Sequence, residues 1–171
     1  TIEIEKNLYF VSFEGTDSNI SGWVEDFLLA YKFPVKSHKL AINYINTVST
    51  LFCPKLYVGG HSKGGNLALV ASMYCKGRVY RKIRHIYSND GQGLRKAQIE
   101  SSKYASIQDR FIHIIPQFSV VGLLLRHDQN YTVIHSMKMG GLAHCTSYWK
   151  VEDDHFKRDT LSPFSEILDK G

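Results

Sequence analysis

Residues 57–69, Tyr57-Val58-Gly59-Gly60-His61-Ser62-Lys63-Gly64-Gly65-Asn66-Leu67-Ala68-Leu69, restrict the fold of this chain more than any other stretch. A short apolar run ends at Gly60-His61-Ser62-Lys63-Gly64, and Leu67, Val70, Ala71 and Tyr74 then recur at helical spacing. The pattern is G-x-S-x-G at a strand-to-helix junction. The positions two before and two after the serine must lack bulk, because the turn presses them against each other and against the neighbouring strand. The serine is then held in a strained backbone conformation with its hydroxyl above the sheet. The helix that follows aims its N-terminal N–H groups and dipole at that hydroxyl, which favours a developing oxyanion. Ser62 is therefore the candidate nucleophile, and the Lys63 N–H a candidate oxyanion donor. A glycine-rich turn without chemistry would show the same letters. A phosphate-binding loop would need G-x-x-x-x-G-K-[ST], and Lys63 is in the wrong place for it.

The flanking sequence supplies the sheet. Leu8–Phe13 is β-branched and aromatic and runs into the turn Glu14-Gly15-Thr16-Asp17. Residues 21–31 read as a short helix. Ser37 is placed to cap a second helix whose apolar face is Leu40, Ala41, Tyr44, Ile45, Val48 and Leu51. Strands are expected at Lys55–Val58, Ile83–Ser88, Arg110–Ile115 and Tyr131–Ser136, with an edge strand at Thr146–Val151. Helices are expected over Leu67–Tyr74, closed by Gly77, over Leu94–Tyr104 and over Leu161–Leu168. Strands alternating with helices predict an α/β fold with a mostly parallel sheet and helices on both faces. In such sheets ligands sit at the carboxyl ends of strands, where Gly15-Thr16, Ser62, Asp90 and His144 all fall.

The chain has 171 residues, 43% of them hydrophobic and 22% charged, a composition that predicts one globular domain over 1–171. It starts at Thr1-Ile2-Glu3 without a methionine, so it is expected to be part of a longer chain. The longest apolar stretch, Ser119 to Leu125, is too short to span a bilayer. Cys53, Cys75 and Cys145 are odd in number and lack C-x-x-C spacing, which predicts neither a disulfide framework nor a zinc site and fits a reducing, cytoplasmic compartment. Much of the net charge of +5 sits in Lys76, Arg78, Arg81, Lys82 and Arg84. These read as a solvated loop, with contact to an anionic membrane surface as the alternative. No aromatic platform is interleaved with them, so nucleic acid is not an expected partner.

The segment Gly60–Ala68 resembles the elbow of the Mbeg-like bacterial family of lipase-like α/β-hydrolases, related to the class 3 lipases. Phe13-Glu14-Gly15-Thr16-Asp17 followed by Trp23-Val24-Glu25-Asp26-Phe27 is similar to the F-R-G-T…W…D segment of those lipases. Asn89-Asp90-Gly91, Ile115-Pro116-Gln117 with Ser119–Gly122, and His144 with Trp149 also look like family landmarks. The similarity runs from about residue 8 to 156. It implies a three-layer α/β-hydrolase core whose first strands lie upstream of this chain or are absent from it. It also implies that Thr16 supplies the second oxyanion donor, although a turn residue capping the next segment would look the same. Residues 18–31, with Ile20, Trp23, Phe27 and Leu28, read either as a lid over an acyl pocket or as a packed helix.

A serine hydroxyl needs a base. Of the eight histidines, His144 lies in a glycine-containing loop after the last parallel strand, where the resemblance puts the base. His61 adjoins Ser62 and is expected to pack; His85, His113 and His135 read as structural strand residues. His38 stands at a helix start, and His127 and His155 among polar loop residues. The acid is less determined. The turn after Pro116, its usual place in the related lipases, offers Gln117 and Ser119 but no carboxylate. Asp90 ends the preceding strand, a position some lipases use, yet an Asx turn to Gln92 or Gly93 explains it equally. Asp128, or a Ser-His dyad supported by Ser119, are the other readings.

The expected activity is cleavage of a small-molecule or lipid carboxylic ester through an acyl-enzyme. The alternative is a hydrolase-fold binding module without efficient catalysis. The scattered His127-Asp128 and Asp153-Asp154-His155 have no metal-ligand spacing, so no metal or cofactor is expected.

Overall fold

Strands that alternate with crossover connections pair here in the order in which the chain makes them. The computed structural model describes residues 1–15, 29, 31–51, 54–127 and 130–170. It contains β1 (Ile2–Glu5), β2 (Leu8–Phe13), α1 (Lys36–Leu51), β3 (Lys55–His61), α2 (Lys63–Tyr74), α3 (Gly77–Tyr80) and β4 (Ile83–Asn89). There follow α4 (Lys96–Ile99), α5 (Ser102–Ala105), β5 (Phe111–Pro116), β6 (Tyr131–Ile134), β7 (Val151–Glu152), β8 (His155–Phe156) and α6 (Pro163–Asp169). The six-stranded sheet has the order β1-β2-β3-β4-β5-β6. The β1–β2 pair is antiparallel, and every later pair is parallel. The chain is therefore α/β with a mostly parallel sheet.

Register decides the faces, because successive side chains along a strand point to opposite sides. Val11, Val58 and Ile86 are in register and fully buried. With Leu56 and Ile83 they meet Ala41 and Ile45 of α1 and Leu67, Ala68, Val70 and Ala71 of α2 in one core. Helix α2 is buried on all sides from Lys63 to Met73, as a helix apolar around its circumference must be.

On the other face Phe10, Tyr57, His85 and Tyr87 are only half-buried and contact one another ring to ring. Among the described residues α1 and α2, the two longest helices, share one face. A right-handed crossover that always steps in the same direction along the sheet returns every connecting helix to the same side. From β2 to β6 the strand order never reverses. Alternation of elements in the sequence carries no information about that order.

Local differences have local causes. β1 was not expected; Ile2 and Ile4 alternate with Glu3 and Glu5, and the turn at Lys6-Asn7 places Asn7 at φ 67°. Helix α1 begins at Lys36, ahead of Ser37, and buries His38, Ala41, Ile45 and Ser49 while Leu40 and Tyr44 stay exposed. Gly77 opens α3 and does not close α2. The expected helix over Leu94–Tyr104 is split, because Leu94 pairs with Arg126 and Ser101 caps α5 by accepting from the Tyr104 N–H. The expected edge strand Thr146–Val151 is a 3-10 turn at Thr146–Tyr148 followed by the β7–β8 hairpin. Among the described residues no helix is long and apolar enough to cross a membrane.

Candidate active site

Ser62 stands between β3 and α2 at φ 57°, ψ −132°, a region that residues with a side chain rarely occupy. Its N–H donates to Asn89 O at 3.0 Å, which ties the bend to the end of β4. The hydroxyl makes no cap bond to the helix it precedes. The flanking glycines are required by contact. A Cβ on Gly60 would strike the Gly64 carbonyl group and lie 2.6 Å from Phe13 O. One on Gly64 would run into the same Phe13 carbonyl and lie 3.0 Å from Glu14 C. The turn is thus wedged against β2, and any side chain at either position would force it off.

Asp90 follows β4 at φ 49° and is fully buried. Its Oδ2 lies 2.6 Å from His144 Nδ1, while its Oδ1 accepts from Ser119 Oγ at 2.5 Å and from Gly122 N at 3.0 Å. The Asx turn is not formed: Gly93 N donates to Leu124 O, and both Asp90 oxygens are engaged elsewhere. A carboxylate accepting from Nδ1–H holds the imidazole in the tautomer whose Nε2 carries a lone pair, as a general base requires.

Two further contacts hold the His144 loop. The Trp149 indole N–H donates to Ala143 O at 2.8 Å, and His61 Nε2 donates to His144 O at 2.7 Å. The His61 and His144 rings lie 4.3 Å apart. Burial is the main cause that holds the His61 imidazole below its ordinary range; its bond to the His144 carbonyl opposes this, and the nearby His144 ring adds to it. Among the described residues no hydrogen bond joins Ser62 Oγ to an imidazole. Serine and histidine flank one junction all the same, since Ser62 is bonded to Asn89 and His144 to the next residue, Asp90. A cleft of about 290 Å³ opens beside His61, lined by Phe10, Ser12, Gly60, His61, Asn89, Thr146, Trp149 and Phe156, and none of Ser62, Asp90 and His144 forms its walls.

Ser62, Asp90, His144 and Lys63 therefore gather at the carboxyl ends of neighbouring strands, and Lys63 is the first residue of α2. Thr16, Asp128 and most of segment 18–31 lie outside the described residues. His85 sits in the aromatic row, His135 pairs with Asp159 and His127 with Asp169, so none of them joins the site. No group of three or more metal-ligating side chains occurs among the described residues.

Sequence reasoning missed one supporting network. His38 Nε2 donates to Asn66 Oδ1 at 2.8 Å, and Asn66 Nδ2 donates to Gly93 O at 2.7 Å and Gln92 O at 3.2 Å. These buried bonds fasten α2 to the loop that follows Asp90. The available signal was a polar asparagine one turn into an otherwise apolar helix.

A model of the Mbeg1-like family matches residues 1–171. Neither a curated protein nor a solved structure matches the chain.

Proposed function

We propose that this chain, which belongs to the Mbeg1-like family, is a serine hydrolase that cleaves carboxylic esters through an acyl-enzyme on Ser62. The observation that carries the proposal is the 2.6 Å contact between His144 Nδ1 and the fully buried Asp90 carboxylate, beside an elbow that keeps Ser62 strained. It supplies the acid that the turn after β5 lacks, and so weakens the competing reading of a binding module that has lost catalysis.

In the proposed cycle Ser62 Oγ attacks the ester carbonyl carbon as His144 Nε2 takes the hydroxyl proton. The Lys63 N–H, at the start of α2, holds the oxyanion of the tetrahedral intermediate. The C–O bond to the leaving group breaks, and His144 returns the proton to the departing alkoxide. Water then attacks the acyl-enzyme, giving its proton to His144. Collapse releases the carboxylic acid and restores the serine hydroxyl. Asp90 stabilises the imidazolium at each stage without itself taking the proton. The proposed substrate is a small-molecule or lipid ester. Thioesters and amides would meet the same groups.

A fluorophosphonate probe tests this directly. The wild type is expected to label at Ser62 and to hydrolyse a short-chain p-nitrophenyl ester, and Ser62→Ala to do neither. A wild type that neither labels nor turns over leaves the binding-module reading standing.

A further inference from the structure

We propose that Ser119 is a positioning residue: it holds the Asp90 carboxylate in the one orientation that meets His144, an inference that rests on the serine-hydrolase reading above. Ser119 lies in the turn after β5, whose residues Gln117 to Gly122 include no carboxylate. Its Oγ reaches Asp90 Oδ1 at 2.5 Å, and the side chain is 1% exposed.

The rest of the turn is shaped around the same oxygen. Ser119 N donates to Pro116 O at 2.8 Å, which closes the turn, and Gly122 N then donates to Asp90 Oδ1 at 3.0 Å and to Ser119 Oγ at 3.2 Å. A Cβ on Gly122 would collide with Asp90 Oδ1, and would come within 2.7 Å of Ile115 Cγ2 and 3.0 Å of Ser119 Oγ. No side chain fits between the turn and the carboxylate. Asp90 is held from behind as well, its N–H donating to Ile114 O at 2.7 Å.

With Oδ1 taken by two donors from the β5 turn, the carboxylate plane is fixed and Oδ2 faces His144 Nδ1. Take away the hydroxyl, and a buried oxygen keeps one donor of two while the carboxylate gains freedom to turn off the imidazole. Ser119 keeps its proton throughout; it acts only through Asp90.

The test combines kinetics with a readout that does not need turnover. Ser119→Ala is expected to lower kcat for a p-nitrophenyl ester about tenfold with KM little changed, and Ser119→Thr to restore it. In an Asp90→Ala background the same alanine substitution is expected to cost nothing further, because the oxygen that Ser119 holds is gone. Independently, the low-field proton resonance of the His144 Nδ1–H, identified by its loss in His144→Ala, is expected to shift or broaden in Ser119→Ala and to persist in Ser119→Thr. Ser119→Cys, similar in size but a weak donor, reads the same change should the alanine variant not fold. An unchanged resonance in folded Ser119→Ala, or an equal loss of kcat with and without Asp90, overturns the proposal. If the wild type does not label at Ser62 while the resonance still answers to Ser119, the hydrolase reading fails and the positioning role stands.

Discussion

His61, the residue before the candidate nucleophile, donates its Nε2–H to the carbonyl of His144, the candidate base, across 83 positions of chain at 2.7 Å. One side chain of the elbow thus carries the backbone of the loop that must arrive beside it. Because burial lowers the His61 pKa below the ordinary 6.5, the unfolded chain binds its proton first as pH falls. Stability contributed at this site is complete above about 6.5 and declines between that value and the lower folded one. His61→Gln keeps an N–H donor and removes the titration. Urea midpoints of the wild type are therefore expected to fall more steeply than those of His61→Gln from pH 7 downward. Parallel curves would refute the assignment.

Gly64 and Gly141 separate contact from composition. A methyl on Gly64 has backbone of β2 in its way, while one on Gly141 meets nothing within 4 Å. Gly64→Ala is expected to destabilise by about 1–3 kcal/mol, as overpacking does, or to prevent folding. Gly141→Ala is expected to stay within about 0.5 kcal/mol of the wild type. Denaturant unfolding of the two variants side by side decides it.

What was legible in the sequence follows from the range of each interaction. The elbow is a local object, so its glycines, its strained serine and the α2 pattern could be read from thirteen consecutive residues. Strands β2 to β6 were legible as apolar runs between turn residues, although β3 extends through Gly59-Gly60-His61, which no propensity favours. Asp90 was legible as a candidate but not as a partner. Its two alternatives differ only in whether its oxygens meet residues two or three places on or residues 29 and 54 places away, and strand order decides that.

Asn66 is expected to be more costly to lose than its single side chain suggests. It accepts from His38 and donates to two carbonyls of the loop that follows Asp90, all of them buried. Asn66→Ala leaves those groups without this partner, at a cost of about 1–3 kcal/mol. Amide exchange in residues 90–94 should quicken more than exchange in β5. Uniform acceleration across the chain would mean that Asn66 supports global stability alone.

Cys75 and Cys145 carry opposite perturbations that can be read chemically. Burial pushes the Cys75 thiol up to about 11, and the side chain is half-buried at the end of α2. Cys145, next to His144, is exposed, and the Ser147 hydroxyl with its backbone holds the thiol below its usual value. Thiolate is the reacting species, so brief iodoacetamide treatment at pH 8 should alkylate Cys145 well before Cys75. Peptide mass spectrometry gives the order. Ser147→Ala is expected to slow Cys145 and leave Cys75 unaffected, because the hydrogen bond that favours the thiolate is then absent. If Cys75 reacts first, the hydrogen bond from Ser147 does not hold the Cys145 thiol down and the assigned order of the two thiols is wrong.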